Sequence, residues 1–250
     1  MSEDEAFIRA IVDGPGDDTP RLVYADWLDD RADPRGPYLR AEQAFAREPS
    51  PKALRAAKKL AKPLDSLWVA RVSRPPLGVC YDRFAKPSAE PPVTPDELDG
   101  AAESLGAALP EQLRALLLNY SLGSVLGRLG GYLVLPASGD RAERALDDLV
   151  CYIDPDSIDG WVNCELIDRT WHLRDEFNLN ERFVFLAGNN GYDDAIVVSC
   201  RGRDRGSVYL MDEEKMYANP RAGVARVAAS IGEFLSILSL KSYQKIHKDS

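Results

Sequence analysis

The sequence predicts an α+β protein: a small N-terminal helical module, then a larger unit in which helices flank an antiparallel sheet. Three observations carry this. Apolar residues before position 73 recur only at helical spacing. Residues 73–95 then hold six prolines and little periodicity. Beyond them, the strand-like runs "RFVFLAG", "DAIVVSC" and "SVYLMDEE" are bracketed by helix signals on both sides. The boundaries follow: residues 1–72 for the helical module, 73–92 for a proline-rich linker, 93–240 for the sheet-bearing domain and 241–250 for a charged tail.

"SEDE" opens the first helix as a capping box, Ser2 with Glu5, and Phe7, Ile8, Ile11 and Val12 follow as its apolar stripe. "GPGDDTP" breaks it, and Thr19 with Pro20 supplies the next cap and first-turn residue. The second helix presents Val23, Tyr24, Trp27 and Leu28, with Tyr24 and Trp27 as core anchors. "ADPRGP" ends it, and a third helix carries Tyr38, Leu39 and Phe45. Leu54, Ala57, Ala61, Leu64 and Trp68 mark a fourth, bent at Pro63. Arg21, Asp26 and Arg35 form either an ion-pair network or a docking surface. A short strand is expected at "GVCYD" within the linker.

The second unit opens on another capping box, Thr94 with Glu97, with Pro95 at the first helical position. Leu98, Ala102 and Leu105 are its buried stripe, and Gly106 suits a left-handed end. Pro110 opens a helix burying Leu113, Leu116, Leu117 and Tyr120. "GYLVLP" reads as a strand, "RAERALDDLVCYI" as a helix, "DPDSIDG" as a loop and "WVNCELIDRTWHLRDEF" as a helix. Strands at "RFVFLAG" and "DAIVVSC", a turn at "RGRDRG" and a strand at "SVYLMDEE" follow. A last helix at "SIGEFLSILSL" uses Ser230 and Glu233 as its cap pair and buries Phe234, Leu235 and Leu238.

Composition narrows function. At 45% hydrophobic and 28% charged, the chain has the balance of a soluble globular protein, and no stretch reaches the roughly 18 apolar residues of a spanning helix. The acidic start "MSEDEAF" is unlike a secretory signal. Cysteines 80, 151, 164 and 200 include no CxxC pair and read as free thiols in a reducing cytoplasm. The net charge of −9 is uneven. Residues 1–85 carry 14 basic and 14 acidic side chains, whereas residues 140–194 carry 14 acids against 5 arginines. That balance argues against nucleic acid, which requires cations to displace phosphate counterions, and is compatible either with a basic protein partner or with acids that only solubilise the surface.

Two resemblances add to this reading. "EAFIRAIVDGPGDDTPRLVYADWLDDRADPRGPYLRAEQ" resembles the short repeat-companion module at the N-termini of many bacterial proteins, which implies no catalysis. Residues 93–240 resemble the Smi1/Knr4 family of the SUKH superfamily. Four segments carry this in order: "VTPDELDGAAESLGAALPEQLRALLLNY", "FLAGNNGYDDAIVVSC", "GSVYLMDEE" and "VAASIGEFLSIL". The sequence departs from the family pattern at "SLGS", where an Asn-Gly pair often stands, and at Tyr192, where a glycine often precedes the Asp. The resemblance implies immunity proteins that neutralise polymorphic toxins in bacteria, and regulatory interaction proteins in fungi.

The loop "GNNGYDD" poses the question of a ligand site. It lies between two strand signals, and Asn and Gly tolerate the backbone angles of a tight hairpin without any ligand. EF-hand spacing is absent, and a strand rather than a helix follows the glycines, so neither metal nor phosphate is expected. Asp193 and Asp194, adjacent in a strand, point to opposite faces and make a poor acid/base pair. His172 reads as a partly buried or surface residue in a helix, His247 as part of the tail, and no P-loop, G-x-S-x-G or H-E-x-x-H motif occurs.

The expectation is therefore a non-catalytic cytoplasmic binding protein without cofactor or metal, which engages neither nucleic acid nor membrane. Its partner is a protein, a basic toxin such as a nuclease. Contact candidates are Tyr192, Asp193, Asp194, Asp212, Glu213 and Glu214. Against this stand a scaffold bridging two partners through its two modules, and a hydrolase whose turnover would depend on His172.

Overall fold

The computed structural model describes residues 1–80, 93–119, 131–134, 162–189, 192–219, 223–237 and 239–242. The expected helix at "RAERALDDLVCYI", the loop "DPDSIDG", and Tyr120, Cys151, Leu238 and His247 lie outside them. Five helices build the N-terminal part: α1 (Glu3–Asp13), α2 (Thr19–Asp29), α3 (Arg35–Arg47), α4 (Pro51–Ala61) and α5 (Ser66–Val72). Ser2 caps α1 by accepting from the Glu5 amide. The reciprocal half of the box does not form, because Arg71 engages both carboxylate oxygens of Glu5, at 2.7 and 3.2 Å. Thr19 is the first residue of α2 rather than its cap. Its amide donates to Asp17, and Asp18 at the cap position instead accepts from Gln43 and Arg74. Pro63 ends α4 instead of bending it, and Asp65 caps a separate α5.

Helix α2 is rotated from the expected face. Tyr24, Ala25 and Leu28 are buried together with Arg21, while Val23 remains 49% exposed. The reason is Arg21, whose guanidinium donates to the carbonyls of Val72, Pro15 and Asp17 at 3.1, 2.9 and 3.3 Å. A fully paired arginine is tolerated inside, and it draws its side of the helix with it. Tyr24 is an anchor as expected: Phe7 stacks on it at 5.1 Å, Trp68 donates to its hydroxyl, and that hydroxyl donates to Asp4. Arg21, Asp26 and Arg35 share no network. Asp26 pairs with Arg40, and Arg35 pairs with Asp33 and Asp4.

Residues 73–80 fold back on this helical part. No strand forms at Gly78 to Cys80. The Val79 and Cys80 amides donate to the carbonyls of Ala70 and Ser73 instead, at 2.8 and 3.1 Å. The apolar core then continues into the second unit, where α6 (Pro95–Ser104) and α7 (Glu111–Asn119) follow. Helix α5 packs on α7, and Arg71 donates across to Asn119 at 3.3 Å. Gln112 joins the same seam, donating to the Leu77 carbonyl and accepting from the Gly232 amide. Gly232 has to be glycine, since a Cβ there would lie 2.4 Å from the Gly78 carbonyl oxygen.

The capping box of Thr94 and Glu97 forms in both directions, and Gly106 ends α6 at a φ of +62°. The remaining elements are β1 (Gly131–Val134), α8 (Val162–Phe177), β2 (Phe183–Asn189), β3 (Tyr192–Ser199), β4 (Val208–Met211), α9 (Glu213–Ala218), β5 (Val224–Ala228), α10 (Ile231–Ile237) and β6 (Ser239–Ser242). Strands β2, β3, β4 and β5 form an antiparallel meander in chain order, and β1 pairs with β6 in a separate ladder. The expected last helix stops at Ile237, and a strand runs into what sequence alone marked as tail. Neither α9 nor β5 carries a signal strong enough to be expected.

The run Ala195 to Val198 is apolar throughout because both faces of β3 are covered. Ile196 and Val198, with Val184, Leu186 and Val208, join the core that includes α6, α7 and α10. Ala195 and Val197, with Phe183 and Met211, face Leu173 and Phe177 of α8 and Met216 of α9. Helix α8 also shields the sheet edge: the Thr170 hydroxyl accepts the Phe185 amide at 3.0 Å.

A candidate interaction surface on helices α8 and α9

Strand register places the residues singled out from the sequence. Asn189 pairs with Tyr192 across the β2–β3 hairpin, so Tyr192, Asp193 and Asp194 begin β3 at that end. Ala195 pairs with Met211, so Asp194 and Asp212 stand just past the last pair on neighbouring strands. Glu213 and Glu214 are the first two residues of α9. The fold thus gathers all six positions at one end of the sheet, where β3 starts and α9 starts. Asp212 has a local task there. It accepts from the Lys215 amide at 3.0 Å, capping α9, and pairs with the Lys215 ammonium.

Helix α9 leads from these acids to Tyr217, which sequence reasoning did not single out. Tyr217 is 68% exposed and meets the buried ring of Phe177 edge-on at 5.3 Å. His172, exposed on α8, approaches the same ring at 5.9 Å. Next to it in sequence is Trp171, 43% exposed. The signal for Trp171 was present: Leu166, Thr170, Leu173 and Phe177 fall on one stripe at 100° per residue, and Trp171 lies about 140° away from Leu166. A tryptophan on the polar face of a two-sided helix has no core to fill.

Asp168, Asp175 and Glu176 are exposed on the outward side of α8, and Arg169 is exposed beside them. Beneath Trp171 lies Arg174, its guanidinium 5.2 Å from the indole centroid. Arg174 is held by the carbonyls of Leu105, Glu181 and Phe183 at 3.1, 2.9 and 3.3 Å, and burial lowers its affinity for its proton. One face of the indole is therefore backed by a fixed cation. Beyond the C-terminal end of α8, an open cleft of about 880 Å³ is lined by Leu179, Glu181, Arg182, Arg201 and Met216 among others. Large exposed aromatics are the kind of feature that marks protein contact sites.

The turn at residues 201–206 is structural. Asp204 is held well below the usual carboxylate range, first by the Tyr209 hydroxyl and also by Arg182. Arg201 and Arg205 clamp the α6–α7 connection through the carbonyls of Gly106 and Leu109. Cys80 and Cys200 are buried free thiols, and burial pushes them up to about 11 and about 12, so both remain protonated at neutral pH. Among the described residues no three His, Cys, Asp or Glu side chains are grouped to hold a metal ion. No helix there is long and apolar enough to cross a membrane.

Comparison with known proteins agrees with this architecture. The model of the SMI1 / KNR4 family (SUKH-1) matches residues 92–237, a span that runs from α6 through α10 and contains the whole meander. Helices α1 to α5 lie outside it. Neither curated proteins nor solved structures gave a match. With well over half of its length inside the family match, and an antiparallel sheet flanked by helices in that span, the chain belongs to the SMI1 / KNR4 family (SUKH-1).

Proposed function

We propose that this chain is a non-catalytic, immunity-type protein that binds a basic toxin, such as a nuclease, in the cytoplasm and covers its working surface. The observation that supports this most directly is that Trp171 on α8 and Tyr217 on α9 are both exposed, and that α8 also exposes Asp168, Asp175 and Glu176. Aromatic anchors supply most of the energy of such interfaces, and surrounding acids speed capture of a cationic partner. Tyr192, Asp193, Asp194, Asp212, Glu213 and Glu214 are the further contact positions of this reading, at the sheet end where β3 and α9 begin. The test is co-expression with toxin candidates encoded beside its gene, scoring growth. Rescue by the wild type and its loss in the Trp171→Ala/Tyr217→Ala double variant are expected. Undiminished rescue by that variant, folded and equally abundant, would remove the surface from the account.

A second reading is a regulatory scaffold that joins two partners, with the repeat-companion-like helices docking one of them. It is favoured by the seam through Arg71, Gln112 and Gly232, which ties the helical part rigidly to the family domain.

A further inference from the structure

Helix α4 is the opposite of α8 in charge. Between residues 49 and 64 stand Lys52, Arg55, Lys58, Lys59 and Lys62, with no acid. None of the five forms an ion pair among the described residues. Two of them, Lys58 and Lys62, overhang a groove of about 530 Å³ at the seam between the helical part and the family domain. Leu64, Leu77 and Pro110 give the groove an apolar lining, and Arg205 stands on its far side. Arg205 is already satisfied by Glu111 and the Leu109 carbonyl, so the uncommitted charge on the rim belongs to the two lysines.

We propose that this groove is a second docking site, which takes an extended segment of a partner protein with alternating acidic and apolar side chains. Lys58 and Lys62 are one helical turn apart, a rise of about 6 Å. Carboxylates two residues apart on an extended chain are about 6.7 Å apart and reach both ammonium groups. The apolar lining accounts for the alternate side chains. A duplex nucleic acid fits less well: the chain carries −9 overall, which repels a dense polyanion, and α4 has no aromatic residue for unpaired bases to stack on. A short acidic segment feels only charges within about 8 Å at physiological salt, where α4 dominates. A bilayer is also a poor match, because Leu60 is the one large apolar side chain that α4 exposes, too little for an inserted face. This site is independent of the α8–α9 surface and gives the joined modules a shared task.

The experiment uses the full chain and a fluorescent peptide, Gly-Ser-Glu-Leu-Glu-Leu-Gly-Ser, read by anisotropy. Lys58→Glu/Lys62→Glu should weaken binding by about tenfold, the scale of two rim pairs turned into repulsions. Lys52→Glu/Lys59→Glu makes the same change of net charge outside the groove and should weaken it by less than about threefold. Replacing both leucines of the peptide by serine should also weaken binding. The proposal is overturned if the wild type does not bind the peptide, if both lysine pairs act equally, or if the serine peptide binds as well. It is likewise overturned if a duplex DNA or vesicles containing phosphatidylserine bind more tightly than the peptide. Thermal melts of each variant verify that the fold is kept.

Discussion

The sulfur of Cys80 accepts a hydrogen bond from Nη2 of Arg21 at 3.1 Å, and both side chains are buried although 59 positions separate them. The same thiol donates to the Ile11 carbonyl at 3.3 Å. This links α1, α2 and the segment after α5 through one polar knot inside an apolar core. Removing the arginine leaves the carbonyls of Val72 and Pro15 buried without a donor. Arg21→Ala should cost about 3 kcal/mol or more, measured as a shift in the urea midpoint at constant slope. Arg21→Lys should recover only part, since an ammonium lacks the fork that reaches several acceptors. In the wild type at pH 8, Cys80 and Cys200 should resist iodoacetamide until urea unfolds the chain, as peptide mapping would show.

Glu42 supplies a pH dependence of unusual sign. It is buried, and that burial raises its affinity for a proton above the ordinary carboxylate range, outweighing the Arg74 amide and the nearby Arg21 and Arg74 charges. One carboxylate oxygen accepts from the Arg74 amide at 3.0 Å, and the other has no partner. A carboxyl with a raised folded-state value favours the folded state while protonated, and it weakens folding as pH rises past the unfolded value near 4.5. Glu42→Gln keeps the acceptor for Arg74. It should raise stability at pH 7 and flatten the pH profile above about 4.5, by denaturant titration. A lower stability at pH 7 would show that the arginines hold Glu42 ionised.

Asp33 runs the other way. Its bonds to Arg35 lower its value, so its contribution is present above about pH 4 and fades as pH falls through the depressed value. Asp33→Asn should remove stability at pH 7 and progressively less below about pH 4, so the difference between the two proteins narrows on acidification.

Arg71 holds the seam. It pairs with Glu5 and donates to buried Asn119, reaching from α5 to α1 and α7 at once. Arg71→Ala should cost about 1–2 kcal/mol, and a double-mutant cycle with Glu5→Ala should show that part of this is shared. For the same reason deletion of residues 1–72 exposes the face of α7 that α5 covers, and the shortened chain should associate or melt early rather than behave as a free domain.

Trp171→Ala and Tyr217→Ala remove exposed rings and should change the melting temperature little. If the proposed function holds, each should raise the dissociation constant for the toxin by about tenfold or more. Reversing Asp168, Asp175 and Glu176 should act mainly on the association rate and reduce its salt dependence, by stopped-flow measurement at two ionic strengths. Asp212→Ala tests a different role: loss of the α9 cap should cost about 1 kcal/mol of stability whether or not a partner is bound.

Much of the fold was legible because it rests on local rules. The caps at Ser2, Thr94 and Ser230, the left-handed Gly106 and the hairpin between β2 and β3 all follow from neighbours within a few positions. The misses have a common origin. Thr19 lost the expected cap of α2 to Asp18, whose carboxylate turned to Gln43 and Arg74, Glu5 lost half of its box to Arg71, and Lys241 and Ser242 lost their tail-like freedom to β1. In each case a distant partner outbid a local preference worth about 1 kcal/mol.

The candidate surface divides in the same way. Periodicity shows that Trp171 is out of register with the stripe of α8, but only the packed structure sets Tyr217 of α9 against Phe177 and gathers residues 192–194 and 212–214 at one sheet end. By itself, the sequence determined most of the longer elements, the charge of each of them and the family, because these depend on composition and short-range pattern. The tertiary structure alone decided that Arg21 goes inside, that the helical part and the family domain share one core, and that a basic groove opens between them. Those outcomes depend on which carbonyls, carboxylates and apolar faces meet across tens of residues, and no local rule encodes such meetings.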